Sequence, residues 1–106
     1  MFASEWLEAR KPELRPRTVQ DYEWALGYHL LPFFEDHRLS TISVREVDRY
    51  KAAKLRDGTP GASQINKTLK LLAMILDTAI EYELLDGANP ARGRRRRVKV
   101  PKVQRS

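Results

Sequence analysis

The chain has 106 residues, 42% hydrophobic and 32% charged, which suits one small globular domain rather than a disordered segment. It has no cysteine, two histidines and no D-x-D-x-D run, so disulfides, thiol chemistry and Cys-ligated zinc are excluded and no metal or cofactor is expected. The net charge is +6, yet eight of the 20 basic residues fall between Arg92 and Arg105 with no acid among them, leaving 12 basic against 14 acidic groups, a net of −2, in residues 1–91. The opening Met1-Phe2-Ala3-Ser4-Glu5-Trp6 lacks the basic start of a secretory signal, and the run Leu71–Leu76 is too short to span a bilayer, so no membrane is expected.

In chain order, helical periodicity begins with a short segment from Phe2 to Arg10, whose Phe2, Trp6 and Leu7 share one side. Pro16 opens a second helix, in the first-turn position that proline favours. Val19, Tyr22, Leu26 and Leu30 then recur every three or four residues as an apolar stripe, which Pro32 should kink or end. A linker follows in which Leu39 and Ile42 are expected to plug the core. Ser43-Val44-Arg45-Glu46 fits a capping box for a third helix, with Val47, Tyr50 and Leu55 as its buried edge. Asp57-Gly58-Thr59-Pro60-Gly61 reads as a turn. The fourth and longest helix is expected from Ser63, placed to cap it, to Leu84, and Asp86-Gly87-Ala88-Asn89-Pro90 stops it. Apolar on nearly every side around Leu71–Leu76, it reads as the central helix of an all-α, four-helix bundle-like fold. A basic strap, Arg92 to Arg105, is expected to be flexible and to dock on a polyanion.

The fourth helix carries its charge against its dipole. Lys67 and Lys70 lie in its early turns, while Asp77, Glu81 and Glu83 lie late. The opposite order would be favoured by roughly 0.3–1 kcal/mol per well-placed charge. Gln64, Lys67 and Lys70 fall on one face, bordered by Asn66 and Thr68, and these side chains suit phosphates and base edges. Arg15, Arg17 and Thr18 crowd the opening of the second helix, where free backbone N–H groups favour an anion. An ordinary solvated face and a solvated loop would show the same residues.

Taken together, these segments resemble the N-terminal core-binding (SAM-like) domain of the tyrosine recombinases, the phage-integrase family. The resemblance rests on Glu5-Trp6-Leu7, then Arg15-Pro16-Arg17-Thr18 with Tyr22 four residues on, and His29-Leu30-Leu31-Pro32-Phe33-Phe34. It continues through Leu39-x-x-Ile42, the helix from Val44 to Tyr50, Ser63-Gln64-Ile65-Asn66-Lys67, and the closing Asn89-Pro90-Ala91 after Glu83-Leu84-Leu85. Departures are Glu35, where the family often has Gly, and the slightly acidic body. The family's catalytic Arg, Lys, His-x-x-Arg and nucleophilic Tyr are not matched: neither His29 nor His37 has Arg three residues on.

The resemblance implies a DNA-binding domain, residues 1–91, followed by an interdomain linker, residues 92–106, with no catalytic residues of its own. Its partners would be double-stranded DNA at a recombination attachment site and the catalytic domain of the same parent chain. Carried over residue by residue, DNA contacts would come from Arg15, Arg17, Thr18, Ser63, Gln64, Asn66, Lys67 and Lys70, with Arg94, Arg95, Arg96 and Arg97 of the strap along the DNA. The isolated domain is expected to be monomeric, the parent a tetramer on DNA, and the location cytoplasmic and nucleoid-associated. Alternatives are a helical protein-interaction module with a generic basic tail, which would work through an exposed apolar patch, or an RNA-binding helical domain, which lacks the aromatic platform single-strand recognition prefers.

Overall fold

The computed structural model describes residues 2–58, 61–92 and 98. All of its regular elements are helical, with no strand among the described residues. Helix α1 (Ala3–Arg10) runs into a 3₁₀ turn (Lys11–Glu13), followed by α2 (Pro16–Ala25). A π turn (Leu26–Leu30) joins α2 to α3 (Leu31–Phe34), and a 3₁₀ turn (Leu39–Thr41) leads to α4 (Val44–Asp57) and α5 (Ala62–Glu81). Because α2, the π turn and α3 are continuous, the described residues form four helical bodies, the expected all-α fold.

Pro32 neither ends the second body nor stops it from reaching Phe34. It has no N–H to give the carbonyl four residues back, and its ring crowds that carbonyl. The turn just before it widens, so that the Leu31 N–H bonds to the Leu26 carbonyl, five residues back. The helix thus absorbs the proline and delivers Phe33 and Phe34 onto α4, where their rings lie 5.6 and 5.5 Å from that of Tyr50. Ile42 is buried and Leu39 half-buried, plugging the core as expected.

Helix α4 starts at Ser43, whose Oγ accepts the Glu46 N–H at 3.4 Å. Only this half of the capping box forms. The Glu46 carboxylate turns to His37 Nε2 at 3.0 Å and Arg49 at 3.4 Å instead. The helix ends on Gly58 at φ +76, a left-handed conformation that glycine adopts without a Cβ clash. Leu55, expected in the buried edge, is 50% exposed, because the last turn of α4 runs past the core.

Helix α5 begins at Ala62 after an N-cap at Gly61, so Ser63 lies inside the first turn and does not cap it. It also ends three residues earlier than expected. Glu83 takes φ +61, the Leu84 N–H bonds to the Ala79 carbonyl and the Glu83 N–H to the Ile80 carbonyl, which together close a Schellman motif. Somewhat more than half of the α5 circumference is covered, through Ile65, Thr68, Leu69, Leu71, Leu72, Ala73, Ile75, Leu76 and Ala79. The remainder is an open strip that includes Lys67, Lys70, Asp77 and Glu81.

Polar links through the Thr78 and Thr68 hydroxyls tie other helices to α5. The Trp6 Nε1–H donates to Thr78 Oγ1 at 3.0 Å, fixing α1. Thr68 donates its hydroxyl to the Ile65 carbonyl at 2.7 Å, so the Tyr50 hydroxyl, 2.7 Å from Thr68 Oγ1, must be the donor in that pair. Thr68 is fully buried by this arrangement and does not border an exposed face. Burial pushes the Tyr50 phenol up to about 12.

Replacing Leu72, which has no exposed surface, with Ala should lower the unfolding free energy by about 2–5 kcal/mol, measured by urea denaturation. Glu83→Gly should raise it by about 0.5–1 kcal/mol, since the left-handed conformation strains a residue with a Cβ. An unchanged midpoint in the first variant would contradict the central placement of α5, and a lowered one in the second would contradict the Schellman end.

Candidate nucleic-acid interface

The open strip of α5 faces α2 across a groove of about 570 Å³. Arg17 and Asp21, one helical turn apart, form the α2 rim, and Gln64, Lys67 and Lys70 form the α5 rim. The floor consists of Tyr22, Trp24, Ala25, Leu71 and Met74. Tyr22 directs its hydroxyl at the Met74 sulfur 3.9 Å away, and its ring lies 5.9 Å from that of Trp6. Behind Trp24 stands the His29 ring, edge-on at 4.6 Å, whose pKa is lowered by burial and by Lys54.

Four of the residues expected to meet DNA therefore converge on one groove: Arg17, Gln64, Lys67 and Lys70. All four are exposed, and among the described residues the three cations form no ion pair. The first turns of α2 and α5 contain no acid, so the dipole at each start is left uncompensated by a side chain. The other expected residues are not part of the groove lining. Arg15 is the exposed N-cap of α2, Thr18 is half-buried beside it, and Ser63 is exposed at the start of α5. Arg94, Arg95, Arg96 and Arg97 lie outside the described residues.

Asn66 is the clearest departure. Its Nδ2 donates to the Val98 carbonyl at 2.8 Å, and its Oδ1 accepts the Val98 N–H at 2.7 Å. Both polar atoms of the carboxamide are engaged with the chain itself, and no free pair remains for an adenine edge. The sequence did not foresee this contact, because a side chain's neighbours 32 residues away leave no trace in local spacing.

A second polar cluster holds the other end of the C-terminal segment. Asn89 Nδ2 donates to the Ala73 carbonyl and to Asp77 Oδ1, each at 2.7 Å, and its Oδ1 accepts the Ala91 N–H at 2.9 Å. The Arg92 guanidinium donates through Nε at 3.0 Å, and also through Nη2, to Asp77 Oδ2. The closing Asn-Pro is thus an anchor that returns the chain onto α5. Arg92, expected to belong to a flexible strap, is pinned at its side chain. These contacts also supply the missing reason for Asp77: an acid late in the helix opposes the dipole but holds Arg92. Sequence reasoning did not foresee Asp21, Trp24 and Met74 in the groove. Asp21 was visible as the fourth residue after Arg17 on a helix, a neighbour on the same face.

The family model for the N-terminal SAM-like domain of phage integrases matches residues 1–54, and the chain belongs to that family. Searches of curated proteins and of solved structures gave no match. The matched segment runs from α1 into α4 and includes Arg17, whereas α5 with its lysines lies beyond it. Catalytic activity in this family lies in the C-terminal domain. No helix among the described residues is long and apolar enough to cross a membrane.

Arg92 beside it, with help from Asn89, holds the Asp77 carboxyl below its usual value of 3.8. A depressed carboxylate pKa gives a contribution that is present above the unfolded value and lost as the pH falls through the folded one. The Arg92 Nε–H resonance should therefore keep its bound position at pH 4 and lose it only at lower pH. In Asp77→Asn that acid transition should be missing, and its persistence would show that another group holds Arg92.

Proposed function

We propose that this chain is the DNA-binding, core-binding domain of a phage-type integrase, a tyrosine site-specific recombinase. It positions duplex DNA for strand exchange by a catalytic domain, and it performs no chemistry itself. The observation that supports this most is the convergence of Arg17 with Lys67 and Lys70 on opposite rims of one groove, without ion-pair partners among the described residues. Unpaired cations on two helices that face one another suit a phosphate backbone, whose counterions they displace. Gln64, on the same rim, is able to read a base edge as a bidentate partner of adenine, and the neighbouring cations suit guanine as well as phosphate. Arg15 and Thr18 at the start of α2, and Ser63 at the start of α5, extend the same face toward the helix openings as backbone contacts. Asn66 is not among the readers, because its carboxamide is already engaged.

The body's net charge of −2 makes the distribution decisive rather than the total. A weakly acidic domain binds a polyanion only where its cations are concentrated and unpaired. Residues 92–106 add the remaining positive charge as an interdomain linker, and Arg94 to Arg97 would contribute contacts independent of sequence. The domain's duplex partner is a recombination attachment site, and the parent acts as a tetramer on it.

Each of Arg17→Ala, Lys67→Ala and Lys70→Ala should weaken binding to a mixed-sequence duplex. Each should also flatten the log–log salt dependence of affinity by about 0.9, the release expected per phosphate contact. Fluorescence anisotropy between 50 and 200 mM salt measures both. Unchanged affinity and slope in all three variants would remove the groove from the DNA surface.

A further inference from the structure

Asn66 and Asp77 are eleven residues apart on α5, which is three turns, so they lie on nearly one line along the helix. Each takes hold of the C-terminal segment, at points six residues apart: Asp77 at the Arg92 guanidinium, Asn66 at the Val98 backbone. Along the helix axis the two holds are separated by about 16 Å. Six residues of fully extended chain reach about 20–22 Å. Six residues are thus enough to bridge the two holds, and Val98 is held nearer the start of α5 than Arg92 is.

The chemistry of the two holds differs in a way that matters. At Asp77 the hold is an exposed ion pair, sensitive to salt and acid. At Asn66 the carboxamide offers one donor and one acceptor to the C=O and N–H of a single residue, as a neighbouring β-strand would. That pairing reads backbone and not side chain. The Val98 side chain, half-buried against the core, adds an apolar contact at the same point.

We propose that α5 is a dock for the chain's own C-terminal segment at Arg92 and Val98, with Asn66 as the positioning residue that clasps the Val98 backbone. The clasp adds to the anchor at Asp77 a second hold on the chain, nearer the lysine-bearing start of the same helix. This device does not depend on the DNA reading, and it operates without DNA.

Amide exchange of the full chain, free of DNA, tests it. The Val98 N–H should exchange about tenfold or more slowly than an unstructured reference. In Asn66→Ala it should return to the reference rate, with Leu72 and Tyr50 amides unchanged as evidence of an intact fold. Asn66→Asp keeps the acceptor for the Val98 N–H but loses the donor to its carbonyl, so intermediate protection is expected. A Val98 amide at the reference rate in the native chain would overturn the proposal. So would protection that survives Asn66→Ala, which would show that something else holds the segment. Failure of DNA binding would leave these results standing, and failure here would leave the groove reading untouched.

Discussion

Everything else in this domain is arranged around the burial of one side of α5. A 20-residue helix whose core-facing residues run from Ile65 to Ala79 has to be wrapped, and α1, α2 and α4 do the wrapping. Burying a Leu or Ile side chain contributes about 1.5–3 kcal/mol, far more than the dipole penalty from misplaced surface charges. The inverted charge order of α5 is therefore tolerated. Hydrophobic burial fixes the helix, and its open strip is free to carry whatever function needs.

That strip is divided by charge. Its early half presents Lys67 and Lys70 to the groove shared with α2, and its late half presents Asp77 to Arg92. The late half holds the chain's own cation, and the early half leaves its cations without ion-pair partners among the described residues, which suits the polyanion proposed above. Each arrangement accounts for a residue that helix stability alone disfavours. The polar atoms that bind α5 to its neighbours, in the Trp6–Thr78 and Tyr50–Thr68 pairs, lie on other parts of the helix and leave this strip open.

Much of the fold was legible in the sequence because it is written in local periodicity. The stripe Tyr22, Leu26 and Leu30, the Ser43 cap and the Gly58 stop all work within one or two helical turns. The departures have two origins: Pro32 does not end its helix because the adjacent π turn makes room, a local adjustment, whereas Thr68 faces inward to pair with Tyr50, 18 residues away in the chain. Of the candidate site, Arg17, Gln64, Lys67 and Lys70 share a groove, which neither helix pattern alone could establish. Asn66 had the right chemistry and spacing for a base reader, yet it is taken by Val98. A side chain's chemistry shows what it is able to bind, and only the fold shows what it already holds.

The central claim is that the helical body itself meets DNA, rather than carrying a basic tail that does. Amide-resolved NMR titration of the full chain with a mixed-sequence duplex tests it most directly. The account predicts shifts at Arg17, Gln64, Lys67 and Lys70, the residues on both rims of one groove. Shifts confined to residues after Arg92, with the groove silent, would contradict it and reduce DNA contact to the electrostatics of the C-terminal segment.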